Sequence, residues 1–183
     1  MSEQFFAITG GPGAGKTALI EALSAKGYAT APEAGRSIVV DQKTIGRPDL
    51  AAGAPELFAE LMLSWDMRSH RWARTHAGPV FFDHAVPCVA GFYRVIDRPV
   101  PPHVTAAVRL FRYARIAFVA PPWPEIYRTD NERRATFDEA TRIYEADAAA
   151  YWDHGYDLVE LPRSDVVTRV DFVLDHVFRS QVR

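Results

Sequence analysis

One cysteine, Cys88, stands in a chain of 183 residues, so neither an intramolecular disulfide nor a cysteine-only zinc cage can form, and the chain suits a reducing cytoplasm. Charge of one sign is scarce too: 21 basic residues against 23 acidic ones leave a net charge of -2, and no long single-sign block draws the chain to nucleic acid or a membrane surface. A basic stripe with interleaved aromatics is missing as well, which argues against a nucleic-acid partner. No apolar run approaches the roughly 20 residues that cross a bilayer, and the start MSEQFFAITGGPG lacks the charged region of a signal peptide. A soluble cytoplasmic protein with no membrane partner is expected. There are no internal repeats and no low-complexity tracts. What remains is 48% apolar residues over a length that suits one domain, here residues 1–183, with a sizeable core.

Along the chain, short apolar runs alternate with helical patterns. The spacing predicts strands at Phe5–Thr9, Tyr28–Ala31, Val80–Phe82, Ile116–Ala120 and Leu158–Leu161. Between them it predicts helices over Lys16–Lys26, Ala34–Gln42, Glu56–Thr75, Val86–Ile96, His103–Tyr113 and Thr136–Trp152, with Val166–Phe178 closing the chain. The Glu56–Thr75 helix is expected to carry its apolar face on Leu57, Leu61 and Trp65. Lys43–Pro55, with Gly46, Pro48, Gly53 and Pro55, reads as a loop. The expectation is an α/β fold in three layers, a five-stranded parallel sheet flanked by helices on both faces.

The run GGPGAGKT places Gly10, Gly15, Lys16 and Thr17 in the order Gly, four residues, Gly, Lys, Thr, after a strand and before a helix. Glycines let successive amide hydrogens turn inward into an anion cradle, and the helix that starts near Lys16 adds its positive end. Gly11, Gly13, Ala14, Gly15, Lys16, Thr17 and Ala18 are therefore the expected nucleotide-binding residues. Lys16 would reach the β- and γ-phosphates, and the Thr17 hydroxyl would sit on Mg2+.

Ligands of open parallel sheets bind beyond the carboxyl ends of the strands, which gives meaning to two acids there. Asp83 follows Val80, Phe81 and Phe82 and is expected to orient Mg2+ or to contact the acceptor, the alternative being a helix N-cap. Glu33 follows the second strand and Pro32. It can act as general base on an attacking hydroxyl, or serve as a first-turn helix acid paired with Arg36.

The stretch YRTDNERR carries Arg128, Arg133 and Arg134 after a proline hinge, with little to bury. It reads as a lid over 122–140, Arg128 and Arg133 reaching in to stabilise a transferring phosphoryl group, or else as a solvated charged surface. His84 beside Asp83 either contacts a ligand or serves as a local hydrogen-bonding residue, and Cys88 is read as packing. Trp65, Trp72, Phe92 and Tyr93 either wall an acceptor pocket or belong to the core. The turn Pro162–Asp165 is a place where an adenine ring could rest, and the remaining histidines lack metal-ligand spacing.

Taken together, GGPGAGKT, PEAGR at Pro32–Arg36, FFDHAVP at Phe81–Pro87, PPWPEIYRTDNERR at Pro121–Arg134 and GYDLVELP at Gly155–Pro162 resemble the small P-loop kinase superfamily. More closely, they resemble a family of bacterial predicted ATPases with AAA-like domains related to the nicotinamide riboside kinase domain. The resemblance covers nearly the whole chain. It implies that the phosphate-loop strand lies mid-sheet, that its neighbour carries Asp83, and that Glu33 matches the acceptor-activating position of nucleoside kinases. Relatives often have Asp-Arg where this chain has Asp83-His84. The chain is too short for a ring-forming motor, and it lacks an Asn-Lys-x-Asp guanine-selecting motif, which favours ATP. The reading is a kinase acting on ATP and an unidentified small-molecule acceptor, as monomer or homodimer. The alternative is an ATPase or nucleotide-dependent binding module.

Overall fold

The computed structural model describes residues 2–127 and 135–180. Strand β1 (Phe5–Thr9) is buried at all five positions, and its alternation sends Phe5 and Ala7 to one face of the sheet and Phe6 and Ile8 to the other. Each large apolar side chain so buried contributes about 1.5–3 kcal/mol relative to exposure. Around it lie β2 (Ala29–Ala31), β3 (Val80–Asp83), β4 (Ile116–Val119) and β5 (Asp157–Glu160), all parallel, in the order β2-β3-β1-β4-β5. The central strands read as unbroken apolar runs because helices cover both faces. At the edge, β5 leaves the charged Asp157 and Glu160 in solvent, which discourages pairing with another chain.

One face is covered by α1 (Lys16–Ala25) and α8 (Val166–Ser180), whose Leu19, Leu23, Val170 and Val173 pack on Phe6, Ile8, Phe81 and Phe118. The other is covered by α4 (Pro55–Ala73), α5 (Val86–Val95), α6 (Pro102–Leu110) and α7 (Phe137–Asp153). A third cluster joins α2 (Ala34–Thr44) and α3 (Leu50–Gly53) to α4 through Ile38, Leu50 and Phe58. This is the expected α/β architecture in three layers, a five-stranded parallel sheet flanked by helices on both faces. Among the described residues no helix is long and apolar enough to cross a membrane.

Two expectations change. The 43–55 stretch is not all loop, because Leu50 finds a buried seat against Ile38 and Phe58 and one turn of helix, α3, forms around it. The buried stripe of α4 runs through Phe58, Ala59, Leu63, Asp66, His70 and Ala73, while Leu57 faces solvent and Leu61 and Trp65 pack only partly, against the α2 cluster. Two polar residues thus lie in the buried register. His70 is satisfied there: its Nε2 lies 2.8 Å from the Arg112 carbonyl, and Phe5, Phe111 and Tyr113 set their rings edge-on around it.

Candidate active site

Adjacency of β2, β3 and β1 gathers at one sheet end what the sequence keeps apart. The phosphate loop leaves β1, Asp83 closes β3 opposite Ile8, and Glu33 follows β2 after Pro32. Carboxylate oxygens of Glu33 and Asp83 and a ring nitrogen of His84 lie within 4.8 Å of one another.

Gly15 caps α1 at φ 79°, ψ 17°, a left-handed conformation that glycine adopts without a Cβ penalty, and it turns the chain so that the helix begins at Lys16. Lys16 is 3% exposed, and its ammonium donates to the carbonyls of Gly10 at 2.7 Å and Gly11 at 2.8 Å. Its third N–H has no partner among the described residues, so a phosphate oxygen can complete the set. The described flanks of the expected lid close on the same loop. The Tyr127 ring packs where a Cβ at Gly13 would stand, at 2.5 Å, and its hydroxyl donates to the Ala135 carbonyl. Thr136 and Glu139 then form a capping box that starts α7. Arg128 and Arg133 lie outside the described residues. Behind the loop, Arg169 of α8 donates to the Ala14 carbonyl and to the Pro162 carbonyl, both at 2.8 Å, with its guanidinium 5.0 Å from the centre of the Trp123 ring. It ties the phosphate loop to the Pro162–Asp165 turn.

Asp83 does not cap α5: Ala85 holds that position and no side chain caps it. Its carboxylate instead accepts from His84 Nδ1 at 3.2 Å. Thr17 and Asp83 line one cleft, a hydroxyl and a carboxylate, oxygen donors of the kind that suit a hard cation such as Mg2+. Those two residues would hold the ion.

His84 has φ 64°, its N–H donating to the Ile8 carbonyl at 2.9 Å, and its Nε2 lies 3.5 Å from Asp147 Oδ2. Burial and the nearby Lys16 charge lower the pKa of the imidazole. Contacts with Asp147 and Asp83 and the charge of Glu33 outweigh them and carry it to about 10, so the ring is a cation at neutral pH. Asp147 also accepts from Thr9 Oγ1 at 3.2 Å, and Thr9 Oγ1 lies 3.3 Å from Cys88 Sγ. Cys88 is therefore more than packing. Burial pushes its thiol well up, with Asp147 adding to the effect, so it stays protonated and is no nucleophile. His84, Cys88 and Asp147 approach one another within 4.8 Å, yet a doubly protonated imidazole and a thiol offer a metal no ionised donor.

Two cavities meet at Glu33. One, of about 530 Å³, is a cleft between α1 and α2 that contains Thr17, Ser37 and Asp83. The other, of about 240 Å³, is walled by Phe58, Met62, Val89 and Phe92 and carries Asp66, His84 and Asp147 as polar groups. Glu33 and Arg36 line both. Glu33 occupies the N-cap position of α2, but its carboxylate makes no cap hydrogen bond. Of the four aromatics singled out in the sequence, only Phe92 walls this cavity. Trp65 and Trp72 line a shallow groove elsewhere, and the buried Tyr93 belongs to the core while its hydroxyl reaches Glu60.

Asp66, Asp147 and Arg169 were not picked out from the sequence. A signal existed for the two acids, since each falls at helical spacing within a buried stripe: Leu63, Asp66, His70 on α4 and Ala140, Asp147, Ala150 on α7.

A family model described as "AAA domain" matches residues 5–169. No curated protein sequence matches the chain. Among solved structures, deoxyadenosine kinase from M. mycoides with products dCMP and a flexible dCDP bound superposes with a TM-score of 0.62 at 13% identity, covering 98% of this chain and 100% of that one. The same enzyme with dATP gives 0.60 at 15% identity, covering 94% and 98%. Thymidylate kinase from Candida albicans gives 0.69 at 8% identity, covering 98% and 93%. At such identities the likeness is one of fold.

Proposed function

The chain belongs to the AAA domain family matched over residues 5–169, and from that premise we propose that it is a kinase that moves the γ-phosphoryl group of ATP to a hydroxyl of a small nucleoside-like acceptor. One observation carries the reading: Glu33 stands where the cleft holding Thr17 and Asp83 meets the apolar cavity. A site built only for hydrolysis needs no apolar cavity beside its carboxylate. That the fold neighbours include a deoxyadenosine kinase and a thymidylate kinase supports an acceptor of this class.

In this mechanism the loop amides and the positive end of α1 bind the phosphates, and the free N–H of Lys16 stabilises charge on the β- and γ-oxygens. Bound by Thr17 and Asp83, Mg2+ would supply charge neutralisation to the phosphates. The acceptor sits in the 240 Å³ cavity with its hydroxyl toward Glu33. Glu33 takes the hydroxyl proton as the acceptor oxygen bonds to the γ-phosphorus and the bond from that phosphorus to the β,γ-bridging oxygen breaks, releasing ADP. The His84 cation holds Asp83 and faces Asp147, keeping both carboxylates in place beside the phosphates. From the 128–134 segment, Arg128 and Arg133 are proposed to supply further positive charge to the transferred group. Its role as a lid over 122–140 is part of the same proposal.

The test is incubation with ATP, Mg2+ and a panel of nucleosides and small metabolites, reading phosphorylated product by mass. Acceptor-dependent transfer that falls by roughly 10²–10⁴-fold in Glu33→Gln, with ATP affinity intact, is expected. ATP hydrolysis with no acceptor dependence across the panel overturns the kinase reading in favour of an ATPase, and undiminished transfer by Glu33→Gln overturns the general-base role.

A further inference from the structure

The cavity behind Glu33 holds a carboxyl group that phosphoryl transfer does not use. Asp66, on the buried stripe of α4, is 6% exposed and lines the cavity. No described residue gives it a hydrogen bond or an ion pair; the nearby charges of His84 and Glu33 act on it only at longer range. A buried carboxyl left without a partner destabilises the fold, whereas an apolar residue there would not. The walls around it are flat and apolar, with Phe58 and Phe92 set edge-to-face at 5.5 Å and Met62 and Val89 beside them. At about 240 Å³ the cavity is smaller than the roughly 300–1,000 Å³ chambers that take drug-sized ligands, so its occupant is a small ring compound.

We propose that Asp66 is the specificity-determining residue of the acceptor pocket, accepting a hydrogen bond from the exocyclic amino group of a flat nitrogen heterocycle. The inference rests on the acceptor reading of this cavity given above. Its chemistry is that of acceptor lone pairs meeting N–H donors. An ionised Asp66 offers lone pairs and no proton, and so accepts from the amino group. A ring carrying a carbonyl oxygen in place of the amino group turns lone pairs toward the carboxylate and is rejected. The other charged or titratable groups of the pocket are placed differently. Glu33 and Arg36 stand at its junction with the phosphate side, His84 and Asp147 face each other, and Cys88 is engaged with Thr9 and Tyr151.

The experiment measures affinity by calorimetry at pH 8 without ATP, using two pairs of probes that differ at the amino position: cytidine against uridine, and adenosine against inosine. Wild-type protein is expected to bind the amino member of at least one pair about 10- to 100-fold more tightly. Asp66→Asn, whose amide can pair with either edge, is expected to bring the ratio to within about threefold, and Asp66→Leu to weaken the amino member to the level of the oxo member. The isosteric Asn variant keeps the test decisive should the Leu variant misfold. Equal binding of amino and oxo members, a preference that survives in Asp66→Asn, or no binding of any of the four overturns the assignment. So does saturable binding of n-butylamine alone, which would make Asp66 a site for a simple cation. Phosphoryl transfer is scored separately: an Asp66-dependent preference without transfer sinks the kinase reading and keeps this one, and transfer without the preference does the reverse.

Discussion

Asp147, midway along α7, reaches to 3.5 Å from His84 at the end of β3, and the approach exists because α5 presents Gly91 to it. An ideal Cβ at Gly91 would stand 2.4 Å from Asp147 Oδ1 and 3.1 Å from its Cα. Through that contact the packing of two helices decides what holds the imidazole beside the phosphate loop.

Gly91→Ala therefore forces α5 and α7 apart, since backbone as well as side chain is in the way. A loss of about 1–3 kcal/mol in urea unfolding is expected, together with weaker phosphoryl transfer. Wild-type stability in this variant would show that α7 yields easily and that Asp147 is not held by the packing.

Removing the cation tests the same arrangement from the other side. His84→Gln removes the cation that faces both Asp83 and Asp147, and a loss of about 3 kcal/mol is expected in denaturant. His84→Arg restores a cation and should recover most of it. If Gln and Arg variants unfold at the same urea concentration, charge is not what His84 contributes.

Asp66 gives the fold a pH dependence. Burial raises its pKa from 3.8 to about 7, the His84 cation opposing and the Glu33 charge adding. A carboxyl raised in this way holds its proton in the folded state while the unfolded chain has released it. Its contribution is intact below pH 4 and is lost as pH rises to 7 and beyond, by up to about 4 kcal/mol. Asp66→Asn removes that loss. Unfolding curves at pH 5 and pH 8 should show the variant gaining on wild type at the higher pH, and an equal gap at both would refute the shift.

On the donor side, Lys16→Ala is expected to weaken ATP binding by about 2 kcal/mol or more, roughly 30-fold. Thr17→Ala should chiefly reduce the gain in affinity that Mg2+ confers, leaving metal-free ATP binding near wild type. Calorimetry with and without Mg2+ separates the two, and an unchanged Mg2+ effect in Thr17→Ala removes the hydroxyl from the metal site.

The phosphate loop could be read from the chain because its chemistry is local: Gly10 to Thr17 are contiguous, and the turn and the helix start they form depend on neighbours in sequence. Strands and helices are legible for the same reason, through periodicity, and so are the places of Glu33 and Asp83 at the strand ends. The buried face of α4 is not legible in the sequence, because Leu57, Leu61 and Trp65 satisfy helical spacing as well as Phe58, Leu63 and His70 do. Which stripe is buried depends on the partner helices.

The sequence by itself determined the α/β order, the phosphate cradle and the acids that close its strands. Only the tertiary structure decided that Glu33 stands between two cavities, that Asp147 and not Asp83 alone confronts His84, and that Asp66 lines the apolar cavity with no hydrogen-bond partner among the described residues. Each of those depends on side chains from elements far apart in the sequence, such as those of Asp66 and Asp147, meeting in one low-dielectric space. Periodicity records only that a position is buried. What a buried carboxyl meets is set by the helices packed around it.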